Sequence, residues 1–308
     1  MKEKSLTKAP VVCLLTFICC FLWGSAFPCI KIGYQLLQIS SGDTASQILF
    51  AGLRFTLAGF LTLLMATIST GKFPRAKRSS WKPILALSMT QTVIQYFFFY
   101  VGLAHATGVK SSIFEASSTF FAILIASLIF RYEALTPCKI LGCLIGFAGV
   151  ILINVAGGGS LDLHFALNGE GFLLLSTLSY AFSSTLIKSF SASESPVTLS
   201  AYQFLVGGVI LSVCGFLAGG RLTVFTPAAA LLLVYMAFIS AAAYSLWGIL
   251  LKYNPVSRIA VFGFMTPVMG VLLSALLLNE KNQAFSLYGL VSLLLVCAGI
   301  FIVNRQTR

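Results

Sequence analysis

The amino-acid sequence is dominated by runs of about twenty mostly apolar residues, the length that an α-helix needs to cross a bilayer. Ten such runs follow one another, separated by short polar breaks. Only 9% of the 308 residues are charged and 58% are hydrophobic, so a water-soluble globule could not cover its surface with polar groups. We therefore predict an all-α integral membrane protein with spans at 11–33, 46–69, 83–104, 111–130, 138–156, 170–190, 197–218, 227–251, 257–278 and 285–303.

Lysine and arginine residues give the predicted orientation, because short cytoplasmic loops are enriched in them. The net charge of +12 would suggest nucleic-acid binding in a soluble protein, but here the charges lie between apolar runs. With a cytoplasmic N-terminus, fifteen of these residues fall on the inner side and four on the outer side. Ten spans return the C-terminus to the cytoplasm. The first run is longer than the apolar part of a signal peptide, so we expect it to be retained as a span.

Ten spans divide into five and five, and an odd number per half implies that two similar halves have opposite orientations in the membrane. Six residues of the 103–142 stretch recur 147 positions later, including Thr119 as Thr266. We predict a first five-helix repeat over 1–156, a linker over 157–169 and a second repeat over 170–308.

Glu115 is the residue most in need of an explanation, because an ionisable group inside an apolar span is costly and often functional. Ser118 and Thr119 lie one helical turn further along and form a polar stripe with it. Arg54 lies in the outer half of the second span, at a depth that permits contact. Two interpretations stay open: Glu115 faces a cavity and carries a proton or contacts substrate, or it forms a structural ion pair with Arg54.

Polar and aromatic side chains of other spans extend the predicted cavity. Gln91 and Gln95 lie one helical turn apart and could bind a polar metabolite, or could equally join helices by hydrogen bonds. The aromatic residues could line a pathway or simply pack. The predicted cavity residues are Trp23, Ser25, Gln91, Gln95, Tyr96, Glu115, Ser118, Thr119, Tyr244 and Trp247.

Two prolines inside spans predict bends, because proline removes a backbone hydrogen bond. Pro28 frees the carbonyl of Gly24, and Pro267 frees that of Gly263. A loosened helix of this kind suits a hinge or a binding site.

Enzymatic and metal-dependent functions find no support in the sequence. No span contains aspartate, and the HExxH, GxSxG and GxxxxGK patterns do not occur. The eight cysteines lie mostly inside apolar runs without metal-ligand spacing, so we interpret them as small core residues. We predict no enzyme, no metal and no cofactor.

Four stretches resemble a known family: WGSAFPCIKIG at 23–33, LRFTLAG at 53–59, the glutamate after the fourth span with its LTPCKILG, and NPVSRIAVFGFMTPVMGVLLSALLLNE at 254–280. They are similar to the EamA family of the drug/metabolite transporter superfamily. The resemblance implies a ten-helix carrier of two inverted repeats that exports amino acids or other small metabolites across the bacterial inner membrane. The family commonly has a proline midway along the fourth and ninth spans, whereas this chain has Phe120 and Pro267, so the resemblance predicts no symmetric pair of kinks.

Together these features favour a secondary exporter of a small polar metabolite, with proton coupling through Glu115 left open. A passive, channel-like facilitator on the same fold is the main alternative. A carrier of nucleotide sugars or sugar phosphates would need more cations than Arg54 alone. The expected partners are the substrate and the lipid bilayer, with no nucleic acid, and small-residue faces such as Gly142–Gly146–Gly149 leave a homodimer open.

Overall fold

The computed structural model describes residues 5–40, 42–105, 108–156, 166–224, 226–277 and 287–305. These residues form helices and no strand, so the all-α prediction is confirmed for them. Most of the predicted linker, at 157–165, and Glu280 lie outside the described residues. The α-helices are α1 (Ala9–Leu36), α2 (Thr44–Thr70), α3 (Trp81–Leu87), α4 (Gln95–His105), α5 (Gly108–Leu124), α6 (Pro137–Ala156), α7 (Phe172–Phe190), α8 (Pro196–Leu217), α9 (Pro227–Tyr253), α10 (Val256–Ala260), α11 (Met265–Leu277) and α12 (Leu287–Arg305).

Several of the predicted spans are composite, because turns of a different helix type continue or join the α-helices. The π-helical turns widen the helix, and such turns are frequent at functional sites. They are Ser88–Ile94 between α3 and α4, Ile125–Ile129 after α5, and Leu167–Gly171 before α7. A 3₁₀ turn, Arg78–Ser80, precedes α3, and another, Val261–Phe264, joins α10 to α11.

The outer surface is apolar, as expected for a protein in lipid. Ile68 and Leu217 are 75% and 78% exposed, which would be costly in water. The described helical stretches long and apolar enough to cross a membrane are Ala9–Leu36, Thr44–Thr70, Arg78–Leu103, Pro196–Leu217 and Pro227–Tyr253. Shorter apolar stretches are Phe114–Ile129, Pro137–Leu152, Val256–Gly270 and Leu290–Arg305.

Helices α2 and α8 pack with their backbones in contact along the bundle. A Cβ added at Gly52 would lie 2.3 Å from the backbone nitrogen of Ser212, and one at Gly208 would lie 2.3 Å from that of Thr56. No side chain fits at these crossings, so glycine permits the close approach.

Helices α6 and α12 make the second close pair. A Cβ at Gly142 would lie 2.8 Å from the carbonyl oxygen of Gly299, and one at Gly299 would lie 2.8 Å from the Gly146 nitrogen. A Cβ at Gly149 would lie 2.9 Å from the carbonyl oxygen of Ser292. The small-residue face of α6 therefore packs within the chain.

The two predicted proline bends have different outcomes. Helix α1 continues as an α-helix through Pro28. Gly24 packs against α11, where its added Cβ would lie 2.9 Å from the Gly270 nitrogen. In the ninth predicted span the α-helix gives way to the 3₁₀ turn Val261–Phe264 just before Pro267. This turn contains Gly263, whose carbonyl group loses its backbone donor to the proline.

Candidate functional site

A cavity of about 90 Å³ lies inside the bundle, with room for several water molecules. Its walls come from α1, α2, α4, α5, α7, α9, α10 and α11 and the 3₁₀ turn before α11, so helices from both halves of the chain line it. The lining residues are Trp23, Ala26, Phe27, Ile30, Arg54, Gln95, Tyr96, Phe99, Glu115, Ser118, Thr119, Ala122, Tyr180, Ser184, Tyr244, Trp247, Leu251, Val256, Ala260, Gly263, Thr266 and Pro267.

The cavity brings together eight of the ten residues predicted from the sequence to line it. These are Trp23, Gln95, Tyr96, Glu115, Ser118, Thr119, Tyr244 and Trp247. Thr119 and Thr266, which correspond in the predicted repeat, both contribute to the wall.

Ser25 is not among the lining residues, which corrects its predicted place. Its hydroxyl donates to the carbonyl oxygen of Leu22 at 2.7 Å and lies 3.0 Å from the Tyr235 hydroxyl on α9. Residues two positions apart point to different sides of a helix, so Ser25 and Trp23 cannot both face the cavity. Ser25 instead ties α1 to α9.

Gln91 is the second residue that does not line the cavity. Its side-chain oxygen accepts a hydrogen bond of 2.6 Å from Nε2 of Gln203 on α8. Gln91 lies within the π-helical turn Ser88–Ile94, and Gln95 is the first residue of α4. The buried Gln91 amide finds its partner on α8 and not in the cavity. Gln91 therefore joins helices by a hydrogen bond, whereas Gln95 faces the cavity.

Arg54 lines the cavity without an ion-pair partner in the described part of the chain. It is 2% exposed, and its Nε donates to the carbonyl oxygen of Met236 at 3.3 Å and to the hydroxyl of Ser240 at 3.2 Å. Its Cζ lies 5.2 Å from the centroid of the Phe55 ring. These contacts fix the side chain to α9. The Tyr100 hydroxyl also interacts with the guanidinium, but no described residue supplies it with a negative charge.

Glu115 lines the same cavity but does not pair with Arg54, so the structural ion-pair interpretation is wrong for this conformation. Among the described residues, an ion pair within 4.0 Å joins Glu133 to Lys139, and none joins Arg54 to Glu115. The Oε2 atom of Glu115 is buried and has no hydrogen-bond partner among those residues. The cavity therefore contains a guanidinium group and a carboxyl group that do not form an ion pair with each other.

Aromatic rings form one wall of the cavity. The Trp23 ring packs at centroid distances of 4.9 Å from Trp247, 5.1 Å from Tyr244 and 6.3 Å from Tyr180. The Tyr244 hydroxyl lies 2.8 Å from the Tyr96 hydroxyl and so connects α9 to α4. Such a wall offers π faces to apolar or cationic groups of a ligand.

Four buried polar atoms of the lining residues lack hydrogen-bond partners among the described residues. They are Nε1 of Trp23, Oε1 of Gln95, Oε2 of Glu115 and Oγ of Ser184. Buried polar groups are nearly always hydrogen-bonded, so each such atom needs an explanation. One donor, two acceptors and one hydroxyl, which can do either, lie on the wall of a single cavity and fit a polar ligand that binds there.

The apolar part of the lining could not be found from the sequence. Phe27, Ile30, Phe99 and Leu251 lie in spans where most residues are equally apolar. Nothing in such a run separates a residue that faces lipid from one that faces a cavity. Tyr180 carried a weak signal, since a tyrosine inside a span exposes a hydroxyl that needs a polar partner.

A buried charged cluster lies next to the cavity at the start of α10. The Glu133 carboxylate accepts hydrogen bonds from Lys139 Nζ at 2.7 Å, from the Ser257 nitrogen at 2.8 Å and from the Ser257 hydroxyl. Glu133 thus caps α10 from the loop between α5 and α6. The neighbouring Val256 is itself a cavity residue, so this cluster fixes one wall of the cavity.

Comparisons with known proteins agree with this architecture. The sequence profile of the EamA-like transporter family matches residues 10–155 and again 167–305. The protein named "Uncharacterized transporter YvbV" of Bacillus subtilis is 25% identical over 309 residues, covering 99% of this chain and 95% of that protein. The "Probable amino-acid metabolite efflux pump" of Escherichia coli is 24% identical over 310 residues, covering 94% and 93%.

A solved crystal structure has the same fold. It superposes on 98% of this chain and 99% of its own length with a TM-score of 0.77. Because the sequence identity is only 18%, this likeness shows a shared fold and nothing more.

Proposed function

We propose that this chain, which belongs to the EamA-like transporter family and is a multi-pass membrane protein, exports a small polar metabolite by alternating access. Amino acids and related compounds are the proposed substrates. The observation that carries the proposal is the cavity, where Arg54 and Glu115 are enclosed by helices without pairing with each other. Two relatives named "Probable amino-acid metabolite efflux pump" support the substrate class.

The proposed architecture has ten spans in two inverted repeats, over 1–156 and 170–308, with both termini in the cytoplasm. The double match of the family profile supports the repeat. The close pairs α2 with α8 and α6 with α12 support it too, because each joins helices at corresponding places in the two halves. The proposed location is the bacterial inner membrane.

Contacts between loops support this topology. Glu194 accepts hydrogen bonds from the Lys77 nitrogen and the Ser80 hydroxyl, and both loops are inner in the ten-span scheme. At the other side, the Ser46 hydroxyl bonds to the backbone of Arg221, and both residues are outer. Loops assigned to one side thus touch one another.

The proposed energy source is a proton gradient that acts through Glu115. A buried carboxylate without a partner can exchange a proton when a charged substrate leaves. The sequence has no GxxxxGK phosphate-binding loop, and an ion gradient is the usual alternative source.

The test is transport of a radiolabelled amino-acid panel in proteoliposomes, with and without a pH gradient, by wild type and Glu115→Gln. We expect accumulation that follows the gradient in wild type and is lost in the variant. Transport that ignores both the gradient and the substitution would instead identify a passive facilitator. A panel in which nothing moves would refute the proposed substrate class.

A further inference from the structure

The two charges of the cavity leave a specific pattern for a ligand to complete. Arg54 is positioned through Nε and interacts with the neutral Tyr100 hydroxyl, and no described residue forms an ion pair with it. Glu115 presents a buried carboxylate oxygen that accepts from none. A buried charge without a partner is costly, and two separated charges cost more than a contacting pair.

The protein surroundings of the two charges supply dipoles but no counter-charge among the described lining residues. Tyr34, Tyr96 and Tyr100 lie within electrostatic range of Arg54. Tyr180 lies within range of Glu115. Tyr244 lies within electrostatic range of both Arg54 and Glu115.

The ligand that neutralises both ends carries both charges itself. A simple cation would satisfy Glu115 and leave Arg54 unpaired, and a simple anion would do the reverse. A neutral sugar would leave both charges uncompensated. A zwitterion forms a charge-assisted hydrogen bond at each end, and such bonds are the stronger class.

We infer that the cavity binds an amino-acid zwitterion with its ammonium group at Glu115 and its carboxylate at Arg54. Its side chain lies against Trp23, Trp247 and the apolar lining. A third charge on that side chain would have no described partner there, so the site favours an apolar or aromatic amino acid. This inference rests on the proposed function and adds to it the orientation of the substrate and the two residues that select it.

The test measures equilibrium binding, which does not depend on transport. Tryptophan fluorescence suits it, because two of the three tryptophans of the chain, Trp23 and Trp247, line the cavity. The probes are L-phenylalanine, phenethylamine, which lacks the carboxylate, and 3-phenylpropionate, which lacks the ammonium group. We expect wild type to bind L-phenylalanine about tenfold more tightly than either analogue.

The variants separate the two ends. Glu115→Gln should abolish the preference for L-phenylalanine over 3-phenylpropionate and keep the preference over phenethylamine. Arg54→Gln should do the converse. Glu115→Asp and Arg54→Lys retain the charges and should restore most of each preference. If Arg54→Gln does not fold, Glu115→Gln and Glu115→Asp still carry the comparison.

Matched controls remove the same charges outside the cavity: Glu194→Gln and Arg75→Gln lie in loops and should bind as wild type does. The inference is overturned if both cavity variants weaken all three probes by one common factor, or if wild type does not prefer L-phenylalanine. Binding without transport would refute the proposed export and leave the inference intact. Transport of amino acids without the charge-dependent preferences would support the proposed export and overturn the inference.

Discussion

Gln91 and Gln95 lie four positions apart in the sequence and perform different tasks in the structure. Gln91 joins its helix to α8 through Gln203. Gln95 is 3% exposed and presents an unpartnered amide oxygen to the cavity. The same substitution at the two positions therefore separates stability from function.

We expect Gln91→Leu to lower the free energy of unfolding by about 2 kcal/mol, because it leaves the buried Gln203 amide without its partner. Gln95→Leu should leave stability nearly unchanged and reduce substrate binding. Thermal unfolding in detergent and tryptophan fluorescence titration measure the two effects. Equal losses of stability for Gln91→Leu and Gln95→Leu would contradict these different roles. The double change Gln91→Leu with Gln203→Leu should recover part of the stability that Gln91→Leu loses, because no buried amide is then left without its partner.

Glu194 provides a pH-dependent contact between loops. Partial burial acts to raise the pKa of Glu194, but hydrogen bonds from Lys77, Ser195 and Ser80 outweigh it and lower the pKa below its ordinary value. A carboxyl whose pKa is lowered on folding stabilises the protein above its unfolded pKa and loses that effect as the pH falls through its folded pKa.

We therefore expect Glu194→Gln to cost at most about 1 kcal/mol near neutral pH, because the carboxylate is largely exposed and screened. The difference from wild type should disappear as the pH falls through the acidic range in which the lowered pKa of Glu194 lies. Unfolding temperatures across that range measure it. A difference that grows on acidification would refute the assigned sign.

At this scale the sequence predicts the residues whose chemistry is unusual for a membrane span. Glu115, Arg54 and Trp23 could be singled out because charged and large polar-edged groups are rare in lipid. Ser25 and Gln91 could not be placed, because their direction depends on which neighbouring helix offers a hydrogen-bond partner.

At the scale of elements, Glu133 connects the loop before α6 to the first turn of α10. Both Glu133 and Lys139 have side chains less than 10% exposed. The Glu133 carboxylate also satisfies the Ser257 nitrogen, one of the backbone groups that a helix start leaves unpaired.

We expect Glu133→Gln to lower the free energy of unfolding by about 3 kcal/mol, because it leaves the buried Lys139 ammonium unpaired. Hydrogen exchange should become faster at the amides of α10. It should stay unchanged at the amides of the other helices. Glu194→Gln, which removes an exposed carboxylate, is the matched control. Unchanged exchange in α10 would show that the cluster does not hold this helix in place.

The crossing of α2 and α8 depends on the absence of side chains at two glycines. Gly208→Val would place a Cβ against the Thr56 backbone, which cannot move aside as a flexible side chain can. We expect a loss of at least about 3 kcal/mol and little folded protein. Gly42→Ala is the control, because an added Cβ there meets nothing within 4 Å. Normal folding of Gly208→Val, judged by size-exclusion chromatography, would contradict the close crossing.

The helices themselves could largely be predicted, since long apolar runs bounded by charged or turn-forming residues leave few other structures in lipid. Helix α2 illustrates this: Asp43 caps its start, accepting from the Ser46 nitrogen at 3.0 Å, and Gly71, with φ of 69°, ends it. The division of the ninth span at Val261–Phe264 was partly foreseeable from Pro267. The π-helical turns were not, because their residue types do not differ from those of the neighbouring α-helices.

At the scale of the whole molecule, the proposed topology places the N-terminus, the 71–80 loop and the C-terminus on one side of the membrane. We expect reporter fusions at residue 308 and within 72–77 to give cytoplasmic signals, and one at Arg221 to give an external signal. If the fusions at residue 308 and within 72–77 report opposite sides of the membrane, the ten-span, two-repeat architecture is contradicted.

The most direct test of the whole account is exchange of labelled L-phenylalanine across liposomes that contain the purified protein, comparing wild type, Glu115→Gln and Glu194→Gln. We expect exchange by wild type and by Glu194→Gln, and a loss of about tenfold or more in Glu115→Gln. Exchange that proceeds unchanged without the Glu115 carboxylate would show that the cavity charges do not carry the substrate, and would contradict it.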